Sequence, residues 1–147
     1  MSRLRRVESK SFDDLLATAP GALQADTEMR RQLIDSLSLP VYCLIGVAVA
    51  GLLRCDRFVD ALRGPLDAAL ATQAATDWRA LTLTAREKAI LSYTEKGTLD
   101  ESSVRRGDVD ELRAAGLNDK DILLIATAIA YHNYAIRMAA AFDVLPR

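Results

Sequence analysis

The chain has 147 residues, half of them hydrophobic and 27% charged, which allows one domain with a genuine core and excludes wholesale disorder. A formal net charge of -1 gives no electrostatic footing for nucleic acid or an anionic membrane surface. Two cysteines, Cys43 and Cys55, make no disulfide framework and suit a reducing cytoplasm. Arg3, Arg5, Arg6 and Lys10 lack interleaved aromatic residues and read as a solvated terminus. No apolar h-region follows them, so a secretory signal is not expected.

Apolar spacing is helical almost throughout, and no convincing strand or hairpin signal appears. Ser11 is placed to cap a short helix over 12–18, with Asp13 and Asp14 in its first turn and Pro20-Gly21 ending it. Asp26 or Thr27 is the expected cap of the next helix, in which Met29, Leu33 and Leu37 repeat at i, i+4, i+8. Pro40 then begins a new helix with Ser38 near its cap, running to about residue 53. The stretch from Leu37 to Leu53 holds 17 residues without a charged side chain. That is the lower edge of a membrane span, about 17–25 residues. Pro40, Ser38, Gly46 and Gly51 make it only moderately hydrophobic, so a buried central helix is the better reading. A helix apolar all round needs cover on every side, and other subunits are expected to supply part of it.

Asp56 opens a segment bearing Phe58, Val59 and Leu62, stopped by Gly64-Pro65. Residues 66–78 read as partly helical, with Trp78 as a packing anchor. Thr84 and Glu87 form a capping box for a helix that closes at Gly97. Residues 98–107 read as loop, and Asp108 as the start of a short helix ended by Gly116. Asn118 caps the last and longest helix, with Ile122, Ile125, Ile129 and Ile136 in its stripe. The expectation is an all-α fold of six or seven helices in one domain over residues 1–147.

The stretch LTAREKAILSYTEKGTLDESSVRRGDVDELRAAGLNDKDILLIATAIAYHNYAIRMAAAFDVLP, from Leu83 to Pro146, resembles the C-terminal half of the alkylhydroperoxidase AhpD-like proteins of the carboxymuconolactone decarboxylase superfamily. The likeness rests on T-x-R-E, on V-x-x-L-R-A-A-G-L-x-D-x-x-I-L and on the closing A-Y-x-N-Y-x-x-R. With the helix pair around Cys43 it covers about residues 26–146, leaving 1–25 as an N-terminal extension with a short helix. The resemblance implies an AhpD-like helical bundle that assembles into homotrimers or homohexamers. It also implies a reactive motif of Glu, eleven residues, Cys-x-Tyr-Cys, three residues, His. In this chain Glu28, Tyr42 and Cys43 match it, while Pro40 replaces the first cysteine and Val47 the histidine.

In the intact motif a thiolate attacks the peroxide O–O bond, a second thiol resolves the sulfenic acid, and imidazole and carboxylate move the proton. An unperturbed thiol has a pKa near about 8.5, so the missing base matters. Cys43 keeps a place near a helix N-terminus, whose dipole favours thiolate. Within one chain, unless the helix breaks at Gly46 or Gly51, Cys55 is no substitute for the resolving thiol, which leaves only a contact between subunits. Twelve residues of helix rise about 18 Å, whereas bridged cysteines need Cα atoms within about 7 Å. His132, the single histidine, is a replacement imidazole if its helix packs beside Cys43, and otherwise a structural or surface residue. Arg137 matches the family's arginine, with Glu28 as the carboxylate it would pair with.

Three readings follow. The first is a one-cysteine peroxide-reducing enzyme using Cys43, Glu28, Tyr42 and His132 with an external thiol reductant. The second is a non-redox enzyme or binder with a decarboxylase-like pocket for an apolar metabolite. The third is a non-catalytic oligomer. No metal constellation or cofactor fingerprint is present, and neither nucleic acid nor membrane is an expected partner.

Overall fold

The computed structural model describes residues 11–147, so the reading of Arg3, Arg5, Arg6 and Lys10 lies outside the described residues. The described residues form eight α-helices and no strand. These are α1 (Phe12–Leu16), α2 (Ala22–Leu37), α3 (Leu39–Leu52), α4 (Val59–Leu62), α5 (Ala68–Asp77), α6 (Ala85–Leu99), α7 (Arg106–Ala114) and α8 (Asp119–Phe142). The count exceeds six or seven because the short helices α1 and α4 stand as separate elements.

Helix α3 is the axis of the bundle. Every residue from Tyr42 to Ala50 is buried, and α2, α4, α5, α6 and α8 all pack on it. The cover expected from other subunits therefore comes from this chain itself. One face meets α5 so closely that a Cβ at Gly51 would overlap the carbonyl of Ala75. Helix α8 is long and apolar enough to cross a membrane, but in the bundle it packs against α2, α3, α6 and α7.

Several helix ends follow local chemistry. The Ser11 hydroxyl accepts from Asp14 N at 3.1 Å, and Thr84 with Glu87 closes the capping box at 3.1 and 3.0 Å. Asn118 and Asp121 form a second reciprocal pair. Other ends depart from expectation. Helix α2 starts at Ala22, after Gly21 in the left-handed conformation (φ 80°), so Asp26 and Thr27 lie inside it and cap nothing. The boundary placed at residue 26 thus falls within a helix, and Phe12, Leu15 and Leu16 of the extension are buried in the core. Helix α6 continues through Gly97 to Leu99. Helix α7 begins at Arg106, with Asp108 at its third position accepting from Arg105 N at 2.7 Å.

Between α2 and α3 the axis bends by 116° at Ser38, which has φ 81°. Ser38 Oγ accepts from Val41 N at 3.5 Å, and Pro40 occupies the first turn, where a missing N–H costs nothing. This bend brings the first turns of α3 against the middle of α8.

Candidate functional site

Cys43 lies in the second turn of α3, 4% exposed. Its sulfur is seated against Gly64, where a Cβ would stand 2.7 Å from Sγ and where φ is 49°. Burial pushes the thiol up from its ordinary value, and the nearby Arg30 guanidinium pulls the other way. Neither cysteine is in a disulfide, and α3 runs unbroken to Leu52, so Cys43 and Cys55 stay apart.

His132 comes from α8 and is wholly buried, packed over Gly46 with its ring centroid 4.4 Å from that of Tyr42. Its Nε2 is 2.9 Å from the carbonyl oxygen of Tyr42. A carbonyl only accepts, so Nε2 carries the proton and Nδ1 presents a lone pair, which has no partner among the described residues. Desolvation lowers the imidazole to about 4, and it is neutral at physiological pH. Neither ring nitrogen is hydrogen-bonded to Cys43. Tyr42 is likewise buried, its hydroxyl without a partner, and burial pushes it up to about 12.

Glu28 stands elsewhere. Its carboxylate is half exposed and accepts from Arg31 Nη2 at 2.5 Å and Nε at 3.1 Å, and from Gln32 Nε2 at 3.0 Å. Those bonds, Arg31 first, hold it down at about 2. The pairing expected between Glu28 and Arg137 does not form. Arg137 is exposed and makes no ion pair among the described residues, because Arg31 lies one turn from Glu28 on the same helix. The structure therefore brings Tyr42 and His132 together, seats the sulfur of Cys43 against Gly64, and leaves Glu28 on the solvent face of α2. Val47 is fully buried and supplies packing alone.

Four polar residues that sequence reasoning missed complete the interior. Asp26, on the inner face of α2, is 6% exposed, and its Oδ2 accepts from Tyr131 O–H at 3.3 Å and from Arg147 Nη2 at 2.5 Å. Arg147 also donates to Thr27 Oγ1 at 3.1 Å and lies 2.9 Å from Asp13 Oδ1. The Tyr131 ring is 6.2 Å from that of Tyr42. Arg30, one turn beyond Asp26, is half-buried, its Nε without a partner. One signal for this face was available: Asp26, Arg30, Leu33 and Leu37 repeat at i, i+4, i+7, i+11, which puts two charges in line with two leucines.

Beside this cluster, α2 and α8 leave an open groove of about 410 Å³. Ala22, Ala25, Met29, Thr127, Ala130 and Tyr134 line it together with Asp26 and Tyr131. No group of three or more metal-ligating side chains occurs among the described residues.

No family model matches the sequence, and no curated relative does. Solved structures do match. An uncharacterized peroxidase-related protein from Silicibacter sp. TM1040 superposes with a TM-score of 0.83 at 26% identity, over 92% of this chain and 75% of that one. The chain has the AhpD-like fold. An alkylhydroperoxidase AhpD core protein from Ralstonia eutropha JMP134, described as peroxidase-related, gives a TM-score of 0.75 at 22% identity, over 90% and 74%. A putative antioxidant defence protein AhpD from Agrobacterium tumefaciens gives 0.69 at 20%, over 90% and 95%. Within this fold the carboxylate of Glu28 and the sulfur of Cys43 belong to different environments, one solvated and one dry.

Proposed function

We propose that this AhpD-like chain binds an apolar small molecule in the groove between α2 and α8, without the dithiol reaction of the family motif. One observation carries the reading. Burial biases the three titratable side chains that the first turns of α3 and the middle of α8 enclose, Cys43, Tyr42 and His132, toward their uncharged forms, and no hydrogen bond links the imidazole to the sulfur. A neutral imidazole near 4 is too weak a base to take the thiol proton at pH 7, and a tyrosine near 12 stays protonated. The groove, by contrast, has mostly apolar walls and the volume of a small-molecule site. Asp26 lines it with one oxygen, Oδ1, still unpartnered, a fixed acceptor that would orient a ligand hydroxyl or amide.

A melting-temperature screen against apolar alcohols, acids and lactones tests this reading. Stabilisation by some members is expected, unchanged after Cys43→Ser and weakened by Tyr134→Ala. A flat response across the panel would overturn it.

A second reading, one-cysteine peroxide reduction, is favoured by the charge of Arg30 acting on Cys43 and by the peroxidase-related names of the structural neighbours. Here the Cys43 thiolate attacks the distal oxygen of a hydroperoxide. An S–O bond forms, the O–O bond breaks, and the alkoxide leaves and takes a proton as alcohol. Two equivalents of an external thiol then return the sulfenic acid to thiol, releasing water and a disulfide. Intact-mass analysis after one equivalent of organic hydroperoxide decides it. A trapped sulfenic acid confined to Cys43 supports this chemistry, and an unmodified protein removes it.

The homotrimer or homohexamer implied by the resemblance belongs to the same proposal. Leu123, Tyr134 and Phe142 leave an exposed apolar stripe on α8 that a second copy would cover. Sedimentation at micromolar concentration checks it, a purely monomeric boundary being the adverse result.

A further inference from the structure

We propose that Arg30 receives the carboxylate of an amphipathic monocarboxylate whose apolar body lies in the α2–α8 groove. The inference rests on the groove reading above and adds the head group. Arg30 is a half-buried guanidinium with no carboxylate within ion-pair distance among the described residues, and its Nε is shut off from water without an acceptor. Its neighbours in sequence use their charges differently: Arg31 is bound to Glu28 and Asp35 in solvent. Asp26, one turn back on the same face, is engaged through Oδ2 by Arg147 and Tyr131, and makes no ion pair with Arg30.

A guanidinium nitrogen shut off from water without an acceptor is costly, and an anion paired with the guanidinium would complete it. A guanidinium matches a carboxylate in planarity and donor spacing, and binds it through paired hydrogen bonds. A further donor waits nearby. The Tyr42 hydroxyl is buried without a partner, and Arg30 is the leading charge acting on it. Arg30 and Tyr42 do not line the groove themselves but adjoin residues that do. Met29, which precedes Arg30, lines the groove, and so does Tyr131, whose ring neighbours that of Tyr42. Because Asp26 is neutralised by Arg147, its charge does not bar the anion.

The probes are 4-phenylbutyrate and its isostere 4-phenylbutanol, with affinities measured calorimetrically on the full chain. The carboxylate should bind roughly tenfold more tightly than the alcohol, the scale of a charge-assisted hydrogen bond. Arg30→Gln should bring the two to parity, and Arg30→Lys should restore part of the preference. The melting temperature of each unliganded variant reports on folding, and wild type alone already compares acid with alcohol. Equal affinity in wild type, or a preference that survives Arg30→Gln, would overturn the role of Arg30 while leaving the groove. Binding of neither probe would overturn both.

Discussion

Helix α3 meets α5 and α8 in opposite ways. Against α5 the contact is backbone-close, with Gly51 on the carbonyl of Ala75. Against α8 it is made by polar rings, Tyr42 with His132 and Tyr131, and several of their polar atoms lack partners. The first face has no tolerance for added volume. The second holds unsatisfied hydrogen-bonding capacity, which is what a binding or reacting site requires and a purely structural face avoids.

The sharpest way to break this contrast is to add one methyl to each face. Gly51→Ala should cost roughly 3 kcal/mol in urea unfolding, because a backbone atom blocks it. Gly46→Ala should cost about half as much, since the atom it meets is Cε1 of a side chain. Equal losses would show that the faces do not differ.

A pH series comes next. The folded imidazole of His132 titrates near 4, against an ordinary value of 6.5. Above pH 6.5 both folded and unfolded chains hold it neutral, and its burial carries no pH-linked penalty. Between 6.5 and about 4 the unfolded chain takes up a proton that the folded chain refuses. Stability should then fall by up to roughly 3 kcal/mol as the pH drops. His132→Gln, which keeps a donor toward the Tyr42 carbonyl, should remove that part of the slope. An unchanged slope would mean that the α8 face does not desolvate the ring.

Arg147→Ala should cost about 2 kcal/mol, because it removes a cation from the buried Asp26. Asp26→Asn in that background should recover part of the loss, and additive losses would argue against the pair. Glu28→Gln should leave the urea-unfolding midpoint essentially unchanged, as its ion pair is exposed. It should leave the alkylation rate of Cys43 unaltered. A slower rate in that variant would place Glu28 functionally beside the sulfur after all.

Much of the fold was legible because helix ends are written locally. Ser11, Ser38, Thr84-Glu87 and Asn118 each announce a start within four residues. The start of α2 was not, because a left-handed Gly21 begins it without a side-chain cap, and Asp26 then imitates one from inside. Gly97 was misread as an end since a glycine tolerated within a helix is spelt like one that stops it. The site was legible only in part. Tyr42 and His132 do meet, but spacing places Glu28 near the motif without saying which way it faces. Asp26 reads as a cap and Arg30 passes unnoticed, because burial of a charge depends on partners distant in sequence. Arg147 and Tyr131 reach Asp26 from the far end of the chain.

The enclosure of α3 also sets an order of events during synthesis. Its apolar surface leaves the ribosome before α5, α6 and α8, the helices that cover it, have been made. Until α8 emerges, the nascent chain carries an uncharged apolar segment whose α8-facing side is uncovered, the kind of surface that chaperones hold and that aggregates when translation stalls.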